Sequence, residues 1–124
     1  MAKYKEYHIC AAIVRWWDFA YRSYGVADKR SLFHIANQGA HGSPKTGAIL
    51  KNMGVRKGQP DYLLAVARNG FNGLFLEVKT STGKPSPEQL ECHAMHRANG
   101  YAVELVNSFD VAQKVIHCYL GKML

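Results

Sequence analysis

Apolar residues recur at three- and four-residue spacing near the start of the chain, at Ile9, Ile13, Trp16, Trp17 and Ala20. That period belongs to a helix with one buried stripe. It predicts a helix from Tyr4 to Tyr24, stopped by Gly25. The short, partly alternating run Ser31 to Ala36 reads as a strand. A polar, glycine-rich loop follows from Asn37 to Ser43, then a short helix from Pro44 to Met53 closed by Gly54. Two strands occupy the centre, Tyr62 to Ala67 and Gly73 to Lys79. Between them lies Asn69-Gly70, a strong hairpin signal, so the two strands are expected to be antiparallel neighbours. Ser86, Pro87 and Gln89 have the spacing of an N-cap, a first helical residue and a capping box. They open a helix that runs to Ala98. Tyr101 to Val106 is a strand, and Ser108 caps a last helix with Asp110 in its first turn. The order α-β-α-β-β-α-β-α predicts an α/β fold with a mixed central sheet flanked by helices.

Composition narrows the class. The 124 residues suit one domain, residues 1–124. Apolar residues make up 48% and charged residues 20%, the balance of a globular protein. No apolar run approaches the ~20 residues that cross a bilayer, so no membrane partner is expected. The first residues lack the apolar stretch of a signal peptide, and the expected location is the cytoplasm of a bacterial or phage-infected cell. Cys10, Cys92 and Cys118 cannot all pair within one chain, and none sits in a C-x-x-C pair, so they are expected to be reduced and buried. The formal charge of +7 favours an anionic partner such as nucleic acid.

The hairpin carries the candidate chemistry. A turn at or near Asn69-Gly70 pairs residues whose numbers sum to about 138 or 139. Asp61 then falls opposite Glu77 or one residue from it, and Lys79 shares a face with Glu77. Leu74, Leu76 and Val78 point the other way, into the core. Two close carboxylates raise each other's pKa, a conflict that a divalent cation removes. Taken alone, the trio fits a surface Glu77–Lys79 ion pair and a turn aspartate better than a site. Zinc is not favoured. Cys92 and His96 share a helix face, but no second pair with finger-like spacing exists, and Cys92, His93 and His96 read as packing residues. Trp16, Trp17 and the first helix's tyrosines could stack on bases, but their helical spacing favours core or oligomer contact.

The flanking residues change the reading. Gly54-Val55-Arg56-Lys57-Gly58-Gln59-Pro60-Asp61, then Gly73 to Lys79, then Ser86-Pro87-Glu88-Gln89 closely resemble the VRR-NUC family. That family is the virus-type replication-repair nuclease branch of the PD-(D/E)xK superfamily. Phe33-His34-Ile35-Ala36-Asn37, Leu50 to Gly54 and Gly100 to Val103 extend the resemblance in the right order over nearly the whole chain. Ala36 stands where the family has a proline, and Ile9-Cys10 where it often has a glutamine after the first-helix acid.

The resemblance implies a restriction-endonuclease-like core and a phosphodiester hydrolase. Asp61, Glu77 and the Val78 backbone carbonyl would hold Mg²⁺ or Mn²⁺, with Glu6 as a further acid from the first helix. Lys79 would be the catalytic lysine, and Gln89 would lie beside the site. His41, Lys45, Lys51, Arg56 and Lys57 are the natural phosphate contacts, since Lys and Arg supply most sequence-independent DNA affinity. No organic cofactor is implied. The implied activity is that of an endodeoxyribonuclease on branched DNA, such as a homodimeric Holliday-junction resolvase. A flap or nicking nuclease of replication or DNA repair is the enzymatic alternative. A DNA-binding module that does not cleave is the alternative from another class.

Overall fold

A computed structural model describes residues 2–36 and 44–121. Helix α1 spans Ala2–Ala20 and continues as a 3₁₀ turn, Tyr21–Tyr24. A second short turn, Lys29–Ser31, leads into strand β1, Leu32–His34. The remaining elements are α2 (Pro44–Asn52), β2 (Tyr62–Leu64), β3 (Leu74–Val78), α3 (Pro87–Ala98), β4 (Ala102–Val106) and α4 (Phe109–Tyr119). The order is the one the hydrophobic pattern predicts. The expected loop Asn37 to Ser43, which contains His41, lies outside the described residues.

The four strands form one mixed sheet in the order β1-β2-β3-β4. The pairs β1–β2 and β2–β3 are antiparallel. β3 and β4 are parallel, with α3 as their crossover. This makes a mixed α/β fold with helices on the sheet, as the sequence predicts.

Asn69 has φ 54° and Gly70 φ 84°, the left-handed pair that a two-residue hairpin turn demands. Arg68 and Phe71 bridge on either side of them. Tyr62 pairs with Leu76, so opposed residues sum to 138 and Asp61 arrives opposite Glu77. β2 is shorter than the predicted Tyr62 to Ala67. The far part of the hairpin turns to other partners instead. Asn72 N–H donates to Gly100 O at 2.8 Å, Tyr119 Oη donates to Val66 O at 2.6 Å, and Asn69 Nδ2 donates to Tyr119 O at 2.8 Å. The first two bonds satisfy hairpin backbone groups, Asn72 N–H and Val66 O, that a longer ladder would have used.

All five residues of β3 are buried, so the sheet is covered on both sides there. Leu74, Leu76 and Val78 join Ile13 and Trp17 of α1 and Ala112, Ile116 and Tyr119 of α4 in one apolar core. Trp17 is packed in that core, and its Nε1–H donates to Lys29 O at 2.9 Å. Trp16 packs edge-on to Tyr24 and Phe109. The two tryptophans are thus structural rather than a stacking platform. On the opposite side, Phe75 stacks on His96 of α3, with ring centroids 3.9 Å apart. Among the described residues, no helix is long and apolar enough to cross a membrane.

Candidate active site

The site begins where β3 runs out beneath α3. Glu77 takes the odd-numbered face of the strand, away from the apolar core, and follows Phe75 under the helix. Its side chain is only 1% exposed. That corrects the picture of a surface ion pair. Among the described residues, the contact classed as an ion pair at Glu77 is with His93 and not with Lys79.

Asp61 is held by its backbone on two sides. Its N–H donates to Leu76 O at 3.0 Å, and its carbonyl accepts from Ile35 N–H at 2.8 Å. Its Oδ2 accepts from Val78 N–H at 2.7 Å. The aspartate is thereby tied to the strand that carries the glutamate. Lys79 N–H donates to Val106 O at 2.9 Å, which fixes the lysine at the end of the parallel pair.

Helix α3 supplies the roof. Ser86 Oγ accepts from Gln89 N–H at 3.2 Å, and Gln89 Oε1 accepts from Ser86 N–H at 2.8 Å, so the capping box forms as predicted. Gln89 Nε2 also donates to Glu77 Oε2 at 3.2 Å. The glutamine therefore both caps the helix and touches the carboxylate. One turn further on, His93 Nε2 lies 3.1 Å from Glu77 Oε1. Spacing alone makes His93 a packing residue, and its contact with Glu77 emerges only in the fold. Its position four residues after Gln89, on the same helix face, was the signal available.

The electrostatics follow from this enclosure. Burial, then the negative charge of Asp61 and a hydrogen bond shared with it, push the Glu77 carboxyl up to about 9. Lys79 opposes that rise. His93 is held below its ordinary value, first by burial and then by the cations Arg97, His96 and Lys79. Both shifts favour neutral partners, so at neutral pH the Glu77–His93 contact is a hydrogen bond rather than an ion pair. Glu6 of α1 lies in the same field. Burial raises its carboxyl, Lys79 lowers it, and Asp61 raises it. Asp61, Glu77 and Gln89 are thus in contact, and Glu6 and Lys79 lie within electrostatic reach of the pair.

The donors suit a hard divalent cation. Two carboxyls that share a proton beside a lysine form a site in which a cation can replace the proton. Oxygen donors of this kind favour Mg²⁺ or Mn²⁺ over zinc. No cluster of three or more His, Cys, Asp or Glu side chains at metal-binding spacing occurs among the described residues. An ion here must therefore complete its shell with backbone, water or substrate oxygens, which Mg²⁺ commonly does.

Of the expected phosphate contacts, Lys45, Lys51, Arg56 and Lys57 are all exposed. Lys51 is in the last turn of α2, and Arg56 and Lys57 lie in the loop leading to Asp61. Where the family often has a glutamine, Cys10 makes a hydrogen bond with the Tyr62 hydroxyl. Burial pushes its thiol up to about 11. The expectation of buried cysteines is corrected, since Cys10 and Cys92 are only half-buried and Cys118 is exposed.

The sheet order, the carboxylates at the end of β3 and the roofing helix define a restriction-endonuclease-like fold. Two solved structures are similar over nearly the whole chain. One, described as a VRR_NUC domain protein, is 26% identical and covers 94% of this chain and 89% of its own, with a TM-score of 0.71. The other, described as a VRR_NUC domain, is 25% identical and covers 93% and 97%, with a TM-score of 0.58. No family profile and no curated protein matches the sequence. This likeness over nearly the whole chain supports reading it as a VRR-NUC domain, a nuclease type.

Proposed function

We propose that this protein is a Mg²⁺- or Mn²⁺-dependent endodeoxyribonuclease that cuts branched DNA. The observation that carries this reading is the carboxyl pair formed by Glu77, buried at the end of β3, and half-buried Asp61 opposite it, beside Lys79. Asp61, Glu77 and the Val78 carbonyl would hold the ion, with Glu6 near enough to tune it. When bound, such an ion polarises the phosphodiester and lowers the pKa of a water.

The chain's own groups do the rest. Lys79 neutralises charge that builds on the phosphate as water attacks and the P–O bond to the leaving oxygen breaks. Gln89 and His93 orient Glu77. Lys45, Lys51, Arg56 and Lys57, with His41, would bind the flanking phosphates. A homodimer suits a four-way junction, because a symmetric pair of sites meets two equivalent strands. Sedimentation at micromolar concentration tests that assembly; a clean monomer removes the case for symmetric resolution.

The test of function is a cleavage panel. Labelled junction, flap and linear duplex are incubated with Mg²⁺, Mn²⁺ or EDTA. Cleavage of the junction with metal and none with EDTA is expected. A preference for flaps or nicked product would point to the flap or nicking nuclease instead. Binding without cleavage under every metal would point to a DNA-binding module. Asp61→Ala and Lys79→Ala are expected to lower cleavage by about 10³-fold, as losing one preorganised electrostatic group does, while sparing much of the binding. Full activity in either variant removes the site assignment.

A further inference from the structure

We propose that His93 is a positioning residue of the metal site, the donor that fixes the Glu77 carboxylate in the orientation a cation needs. The proposal rests on the metal-site reading above.

His93 is 4% exposed, and its Nε2 lies 3.1 Å from Glu77 Oε1. Gln89 Nε2 takes the other oxygen at 3.2 Å. Each oxygen of the carboxylate therefore has its own partner on α3. Two donors four residues apart on one helix face fix both the tilt and the rotation of the group between them. An ionised carboxylate oxygen held by one donor keeps lone-pair capacity for a cation.

The helix that carries these donors is itself held in place. His96, one turn beyond His93, places its Nε2 2.8 Å from Gln59 Oε1, two residues before Asp61. The His96 ring also stacks on Phe75 of β3. Gly58 has φ 93°, and a Cβ there would lie 2.7 Å from Glu88 O, so the loop to Asp61 packs backbone to backbone on the start of α3. One helix thus grips both the strand bearing Glu77 and the loop bearing Asp61. A leucine would fill the volume of His93 without burying an imidazole, which costs free energy unless it is hydrogen-bonded. What histidine adds over leucine is the bond to Glu77.

Calorimetric titration with Mn²⁺ alone tests this on wild type, Glu77→Ala, His93→Leu and His93→Gln, with circular dichroism to check folding. Loss of a hydrogen-bond partner behind a metal ligand commonly costs about 10–100-fold in affinity, so His93→Leu is expected to bind Mn²⁺ that much more weakly. His93→Gln can return an amide N–H to Oε1 and is expected to recover most of the loss. If His93→Leu does not fold, His93→Met replaces it as the apolar variant of similar volume. The proposal is overturned if the folded apolar variant binds as wild type does. It is equally overturned if His93→Gln is as weak as the apolar variant, since shape and not the donor would then matter. If wild type and Glu77→Ala bind Mn²⁺ alike, the metal-site reading fails instead, a result distinct from either of these.

Discussion

The two faces of β3 put one strand to opposite uses. Leu74, Leu76 and Val78 meet α1 and α4 in a dry apolar core. Phe75 and Glu77 meet α3, where histidines and a glutamine line the contact. Both faces are buried, but only one contains a carboxylate that must either keep a proton or gain a cation. The apolar face can hold the strand because burial there is favourable at every pH and with or without metal. The polar face is enclosed at a cost in stability, because desolvation disfavours the ionised form that a metal ligand needs. Rigidity on one side lets the other side hold a charge ready.

The largest effect should come from breaking the dry side. Leu76 is fully buried, and Leu76→Ala leaves a cavity that typically costs about 3 kcal/mol. Urea unfolding in EDTA measures it. A loss well below 1 kcal/mol would mean that the apolar face does not carry the strand.

The next effect concerns the polar side and has a definite sign. The folded Glu77 carboxyl titrates near 9, against an ordinary value of 4.5 in the unfolded chain. Between those values the folded state holds the extra proton. This group's contribution is therefore full below the unfolded value and is lost as pH rises through the folded one. Asp61, Glu6, Lys79 and His93 all face it. His93 acts the opposite way. Its depressed value favours folding above its ordinary 6.5 and is lost on acidification. Above about pH 7 the histidine is neutral in both states, and the glutamate's trend stands alone. Metal-free protein should lose stability from about pH 7 to 8.5, by at most about 1.4 kcal/mol per pH unit for the one proton. Glu77→Gln should flatten that slope. An unchanged slope in the variant would show that Glu77 ionises freely and that the two faces do not differ as described.

The dry face was the more legible of the two in the sequence. The helical spacing of Ile13 and Trp17 and the alternation through Leu74, Leu76 and Val78 mark the core in the sequence itself. Asn69-Gly70 gives the register to within one residue: Arg68 bridges Phe71, a sum of 139, while the β2–β3 ladder shifts to 138 and brings Asp61 opposite Glu77. The polar face was only half legible. Spacing along a strand tells which face a residue takes but not what covers that face. Burial of Glu77 depends on α3 crossing over β3, a tertiary fact, so an acid-x-lysine pair read first as a solvated ion pair. His93 and His96 were obscured for the same reason, because their partners Glu77 and Gln59 lie 16 and 37 residues away in the chain. The short β2 had a similar cause, since Gly100 and Tyr119 supply the bonds that a longer ladder would have made.

The smallest effect separates the helix end from the site it carries. Ser86 and Gln89 exchange two hydrogen bonds, and Gln89 makes a third to Glu77. Ser86→Ala removes the Oγ that accepts from Gln89 N–H, a loss worth about 1 kcal/mol at an N-cap. The backbone N–H of residue 86 remains, so Gln89 Oε1 keeps its partner and its Nε2 stays turned toward Glu77. Stability should therefore fall slightly while Mn²⁺ affinity holds. Urea unfolding and calorimetric titration on the same sample give both numbers. If affinity falls in step with stability, the cap and the carboxylate contact form one unit, and the polar face depends on its helix end as closely as the apolar face depends on its packing.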